Sequence, residues 1–115
     1  MIILPFPPAG LSGHNTGNRW AKAELNRKHR KWAHDATLAA KPVVPTEGDL
    51  LVRVLFVPPN NLGDRVNFPN RCKPYFDGIA DALGVNDKRF VPSFSFAEPE
   101  KPGRVEVTIT PQGAE

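Results

Sequence analysis

The chain has one cysteine, one tyrosine, one methionine and two tryptophans among 115 residues, and these scarcities exclude more than they suggest. A lone Cys72 cannot form an intramolecular disulfide, nor can it build a cysteine-based zinc site. Nothing therefore requires an oxidising compartment, and a cytoplasmic location is the expectation. Long apolar runs are missing too: no stretch nears the roughly 18 uninterrupted apolar residues of a membrane span. The opening residues MIILPFPP lack the basic leader and extended apolar segment of a secretory signal, so a soluble protein with no membrane partner is expected. Net charge is also small, +3 at pH 7, which alone argues weakly for an anionic partner.

The length fits one domain, residues 1–115, that buries a real core without staples. Thirteen prolines and nine glycines are many for this length, but they gather at boundaries such as Pro58-Pro59 and Pro102-Gly103, as punctuation rather than low complexity. The charge is uneven. Residues 1–41 hold seven Lys or Arg and all three histidines against two acids, Glu24 and Asp35; the remainder holds eight bases and ten acids. A basic first third beside an acid-containing second half suits a nuclease, which needs phosphate clamps next to metal-binding carboxylates. A solvated basic helix face explains the same asymmetry without function.

Hydrophobic periodicity orders the elements as β, α, β, α, β, β: an α+β fold in which a mixed β-sheet carries two main helices. Ile2-Ile3-Leu4 reads as a short strand stopped by Pro5. A Gly-, Ser- and Asn-rich loop over 9–18 carries His14, a substrate contact or plain polar surface. From Trp20 to Ala40 there is no Pro or Gly, and Asn18 is placed to cap the helix. Residues 50–57, LLVRVLFV, suit a central strand covered on both faces. Phe76, Ile79, Ala80 and Leu83 mark a second helix closed by Gly84. That helix starts either at Pro74 or, as favoured here, as a turn or kinked helix from Phe68 capped by Asn67. SFSFA at 93–97 and RVEVTIT at 104–110 are strands separated by a turn.

Any chemistry is concentrated between Asp64 and Asp87, which holds four of the twelve acids. Hydrolysis of a phosphodiester with Mg²⁺ needs a few hard carboxylate oxygens. Asp64 and Asp87 meet only if the loops that carry them leave the sheet at one edge. Each also has an ordinary explanation as a turn residue. Asp77 and Asp81, with Lys73 four residues earlier, form one helical stripe that a solvated edge explains at least as well as catalysis. Cys72 reads as a small buried side chain rather than a reactive thiol.

The chain resembles the RusA family of Holliday-junction resolvases, especially the compact forms of phages and prophages. The likeness runs nearly end to end, from Leu4-Pro5-Phe6-Pro7-Pro8 through Leu11-Ser12-Gly13-His14-Asn15 and the helix at Trp20-Ala21-Lys22-Ala23. It is sharpest from Asp64 through Lys73, at Asp77-Gly78-Ile79-Ala80-Asp81-Ala82-Leu83-Gly84, and at Asn86-Asp87. The family block reads Asp-x-Asp-Asn, a helical lysine, an Asp-Gly-Leu relative and a closing Asp-Asp. Matched residue by residue, the resemblance places the first acid at Asp64, the asparagine at Asn67, the lysine at Lys73 and the last acid at Asp87. Val66 stands where a second Asp is expected, and Asn86 replaces the first closing acid.

The resemblance implies a Mg²⁺-dependent endonuclease, with Mn²⁺ as a substitute, that resolves branched DNA as a homodimer in recombination and repair. Asp64, Asp87 and Lys73 are then the catalytic set, with Asp64 and Asp87 on the metal and Lys73 at the phosphate. An alternative register brings in Asn67 as a neutral oxygen ligand or Asp77 from the helix. Arg27, Lys28, Arg30, Lys31, Arg65 and Arg71 would hold phosphates without reading sequence. Two other classes stay open: a junction-binding protein that lost catalysis with the second aspartate, and a small domain whose basic helix contacts an acidic protein.

Overall fold

The structure is a computed structural model that describes residues 1–11 and 18–112; the expectation for His14 lies outside them. Strand β1 (Ile2–Pro5) leads through a 3-10 turn at Ala9–Leu11 to helix α1 (Arg19–Ala40), and β2 (Leu50–Val57) follows. Two 3-10 turns, Arg65–Asn67 and Pro69–Arg71, precede helix α2 (Lys73–Leu83). A further turn at Asp87–Arg89 enters β3 (Phe90–Phe96), and β4 (Arg104–Pro111) ends the sheet. The expected α+β class and element order are both present.

Local chemistry explains the helix limits. Asn18 accepts from the Trp20 and Ala21 amides at 2.8 and 3.2 Å, so α1 starts where its orphan N–H groups find a side-chain oxygen. It stops at Lys41, which adopts a left-handed φ of 49° and donates its N–H to the Thr37 carbonyl. Helix α2 begins at Lys73 rather than Phe68, with Pro74 in the first turn, where its missing N–H costs nothing. The helical turn expected around Phe68 is a separate 3-10 segment, and no Asn67 side chain caps it. Gly84, at φ 67°, ends α2 by donating to the Ala80 and Asp81 carbonyls.

The sheet order is β1-β4-β2-β3. β2 runs parallel to β3, with Leu50 opposite Phe90, and antiparallel to β4, so α2 is the crossover of a β-α-β unit. The stretch between β3 and β4 therefore passes the end of β2 instead of closing a hairpin. It is tied there by hydrogen bonds from Ala97 N to Phe56 O and from Glu100 N to Pro58 O. One face of the sheet, with Ile2, Leu4, Val52, Val54, Phe56 and Val105, packs on Ala33 of α1 and on Tyr75 and Ile79 of α2. β2 is central as expected but is not covered on both faces, since Arg53 is exposed and Leu51 and Leu55 are half-buried.

Two contacts set the helices against each other. Gly78 is where they come closest: a Cβ there would lie 2.1 Å from the Arg30 carbonyl oxygen. Beneath the crossing, the Tyr75 hydroxyl donates to Pro5 O at 2.6 Å and lies 2.8 Å from Nδ1 of buried His29. The hydroxyl proton is committed to Pro5, so Nδ1 of His29 is the donor to Tyr75. A three-membered polar chain thus joins α1, α2 and β1 inside an otherwise apolar core.

Candidate functional site

The loop after β2 and the turn before β3 leave opposite ends of the parallel pair formed by these two strands. Asp64 and Asp87 line different clefts, Asp64 beside Pro58, Asn60 and Arg65, Asp87 beside Lys73, Asp77 and Asn86. Asp64 acts locally: its carboxylate accepts the Val66 amide at 3.2 Å and caps the 3-10 turn at 65–67. The turn explanation open from the sequence accounts for this geometry. Asn67 is exposed, and Val66, at the position of the expected second acid, is 77% exposed.

What does converge is Lys73, Asp77 and Asp87. The Lys73 ammonium lies 2.8 Å from Asp77 and 3.2 Å from Asp87. Asp77 is one helical turn beyond Lys73, and Asp87 is placed by the turn after Gly84, whose cap Asn86 accepts the Lys88 amide at 2.9 Å. Hydrogen bonding to Asp77, and secondly to Asp87, raises the Lys73 pKa, so the group stays cationic. Helical spacing had placed Asp77 and Asp81 on a stripe with Lys73, but the stripe divides. Asp81 turns away to Arg30 of α1 in a two-pronged pair, Nε to Oδ2 at 2.7 Å and Nη2 to Oδ1 at 3.0 Å. That pair depresses the Asp81 pKa through its hydrogen bonds with Arg30 and ties the two helices together.

Arg30, Asp77, Asp81, Asn86 and Asp87 line one open cleft of about 260 Å³. The i, i+4 spacing of Asp77 from Lys73 was the sequence signal for their contact, whereas nothing in the sequence marked Asp87 as the second partner of Lys73. Among the described residues no group of three or more His, Cys, Asp or Glu side chains is gathered to hold a metal ion. Two carboxylates bridged by one ammonium nevertheless fit the donor chemistry of Mg²⁺, which commonly takes one or two protein carboxylates and completes its shell with water and phosphate. Asp77 and Asp87 are the residues that would hold it.

The basic helix is less bare than its composition suggests. Arg27 pairs with Glu24, Lys31 with Asp35 at 2.8 Å, and Arg30 with Asp81; Lys28 lies 4.7 Å from the Trp32 ring centre. Arg27, Lys28, Arg30 and Lys31 are all exposed. Exposed pairs are weak, about 0–1 kcal/mol, so an incoming phosphate competes readily with these carboxylates. Arg65 lines the cleft that holds Asp64, and Arg71 the neighbouring one beside Pro7 and Phe68. Arg65 is exposed, whereas Arg71 is half-buried and donates to Pro7 O at 3.2 Å. Cys72 is buried and burial pushes its thiol up to about 12, as suits a packing residue.

No helix among the described residues is long and apolar enough to cross a membrane. No known protein-family profile matches the chain. It is 49% identical over 115 aligned residues to an uncharacterized protein of Xylella fastidiosa, an alignment that covers 95% of this chain and 74% of that protein. Identity at this level over nearly the whole chain shows common descent, and the chain belongs to the same family as the Xylella protein.

Proposed function

We propose that this chain is a Mg²⁺-dependent, structure-specific endonuclease similar to the RusA resolvases, acting in the cytoplasm as a homodimer on four-way or otherwise branched DNA. The observation that carries the reading is the pair Asp77 and Asp87, bridged by the Lys73 ammonium and lining one open cleft with Arg30. Asp77 and Asp87 would hold the ion, which when bound supplies charge neutralisation at the scissile phosphate and activates water. Lys73, displaced from its two acids, steadies negative charge on the phosphate. Arg30 leads from the cleft to Arg27, Lys28 and Lys31, which grip the backbone without reading bases. Asp64 takes no metal in this arrangement and keeps its role as a turn cap.

The test is a synthetic four-way junction incubated with and without Mg²⁺ or Mn²⁺. Cleavage is expected only with metal, and Asp87→Asn or Asp77→Asn is expected to remove it while junction binding in EDTA persists. Continued cutting by both variants sinks the assignment. Asp64→Asn is expected to cut normally, which separates this site from one built on Asp64.

One observation favours a second reading, a junction-binding protein without catalysis. Val66 is exposed where the family pattern expects an acid, and Asp64 lines a different cleft from Asp87. Tight binding in EDTA with no nicking at any metal concentration would select it. Cleavage gained by Val66→Asp would show instead that the site is built around the loop after β2.

A further inference from the structure

The proposed chemistry leaves one aromatic ring unused. Trp20, in the first turn of α1, is 81% exposed, whereas each of the other nine aromatic side chains is at most 38% exposed. Its indole makes no hydrogen bond, ring contact or cation contact among the described residues. Trp32 on the same helix differs: the His29 ring meets it edge-on with centres 4.7 Å apart, and the Lys28 ammonium lies over it at 4.7 Å. Trp32 is thus engaged within its own helix, and Trp20 is not.

The surroundings of that ring are small or cationic. Ala21 and Ala23 beside it are exposed and add no bulk. Helical side chains lean toward the N-terminus, which carries the indole toward Arg19, itself exposed and without an ion pair among the described residues. At about 3.6 residues per turn, Trp20, Arg27 and Lys31 fall on one line, with the two bases about 10 and 16 Å beyond Trp20 along the axis. The whole helix sets six Lys or Arg against two acids, Glu24 and Asp35. The pairs that Arg27 and Lys31 make with those acids are exposed, so a phosphate displaces them readily.

An exposed tryptophan suits a lipid surface, a protein or a nucleic acid, and the rest of the helix decides among them. The next exposed large apolar side chain on the same line is Leu38, 51% exposed and about 27 Å further along. Charged residues fill the interval, so this side of α1 has no continuous apolar face to sink into a membrane or to seat a partner helix. An isolated flat ring among cations complements an anionic chain that carries flat rings of its own.

We infer that Trp20 stacks on an unpaired base of the bound DNA while Arg19 and Arg27 hold the flanking phosphates. The inference rests on the DNA reading above and deepens it. Arg30 lines the acid cleft, and Trp20 stands ten residues before it, about 15 Å along α1. At about 3.4 Å per base step, the stacked base is roughly four nucleotides from the phosphate at the cleft. A paired duplex keeps its bases inside the stack, and extruding one is costly. At a branch point some bases have lost a stacking neighbour already, and these are the ones that Trp20 meets. Stacking on indole tolerates any base, in keeping with side chains that grip the backbone without reading sequence.

The experiment uses the whole protein in EDTA and reads tryptophan emission, which stacking on a base quenches. Trp32→Phe leaves Trp20 as the only tryptophan. A four-way junction added to this protein is expected to remove most of the emission, and a linear duplex of the same arm sequence to change it little. Trp20→Ser is expected to weaken junction binding by roughly tenfold, the scale of one stacked base, with duplex binding unchanged and with Trp20→Phe restoring most of the loss. At 81% exposure the side chain carries none of the core, so the Trp20 variants keep the parent melting temperature. Normal junction affinity in Trp20→Ser, or undiminished emission on a saturating junction, would overturn the inference and leave the nuclease reading standing. Equal weakening of junction and duplex would overturn it too, by making Trp20 a contact blind to branching, as would a Trp20→Phe protein that binds as poorly as Trp20→Ser. A blue shift on vesicles of anionic phospholipid, with no response to either DNA, would assign the ring to a membrane surface instead. Failure of the parent protein to bind either DNA would overturn the function itself, and the inference with it.

Discussion

Replacing Gly78 with alanine adds one methyl group to the closest point between the two helices. The added carbon would lie 2.1 Å from the Arg30 carbonyl oxygen, 2.9 Å from the Ala33 Cβ and 3.0 Å from the His34 nitrogen. Two of these three atoms are backbone, so no rotamer change relieves the contact and α1 must move off α2. Overpacking of this kind costs about 1–3 kcal/mol, and the size of the clash places Gly78→Ala at the upper end. Alanine returns about 1 kcal/mol through its better helix propensity. The expected net loss is about 2 kcal/mol, or roughly 8 °C in melting temperature for a domain of this size. Urea and thermal unfolding followed by circular dichroism measure it. Adding Ala33→Gly removes the second contact but not the first, so it is expected to restore little. A Gly78→Ala protein that melts at or above the parent would refute the helix crossing, and with it the account of how Arg30 reaches Asp81.

Two further predictions come from the buried ionisable groups. Burial, aided by nearby Lys28, lowers the His29 pKa below 6.5, so the unfolded chain binds more protons than the folded one once pH falls below that value. Stability is therefore complete above pH 6.5 and declines as pH drops toward the depressed folded pKa; the decline in urea midpoint between pH 7.5 and 5.5 should be smaller in His29→Gln, and an unchanged decline would remove His29 as its cause. Cys72 is buried, with its thiol pushed up to about 12, so it should resist Ellman's reagent in the native protein and react at once in urea; rapid native labelling would contradict its place in the core.

Much of the fold was legible because its causes are local. Asn18 marks the start of α1, Gly84 the end of α2, and the alternation in 104–110 marks β4, since caps, left-handed glycines and side-chain periodicity depend on near neighbours in the chain. The start of α2 was less legible, because Pro74 tolerates both a first-turn position and a kink, and packing of Phe68 and Cys72 into the core decided between them. The β3–β4 connection was expected as a turn because Pro and Gly mark a break without saying how far the chain then travels. Its route past β2 follows from strand pairing, a contact between residues distant in sequence.

The candidate site divides along the same line. By itself the sequence determined which side chains bear the relevant chemistry: the acids from Asp64 to Asp87, Lys73 at helical spacing from Asp77, and the bases of α1. Tertiary structure alone decided which of them meet. Asp64 lines a cleft of its own, while the return of the chain after Gly84 brings Asp87 to Lys73 and Asp77. Arg71, an ordinary basic residue in the sequence, becomes a half-buried cation without a carboxylate partner among the described residues because Phe68, Pro7 and the proline runs close around it. Residue chemistry is written position by position, but an electrostatic site is set by distances across space, and strand order and helix crossing set those distances.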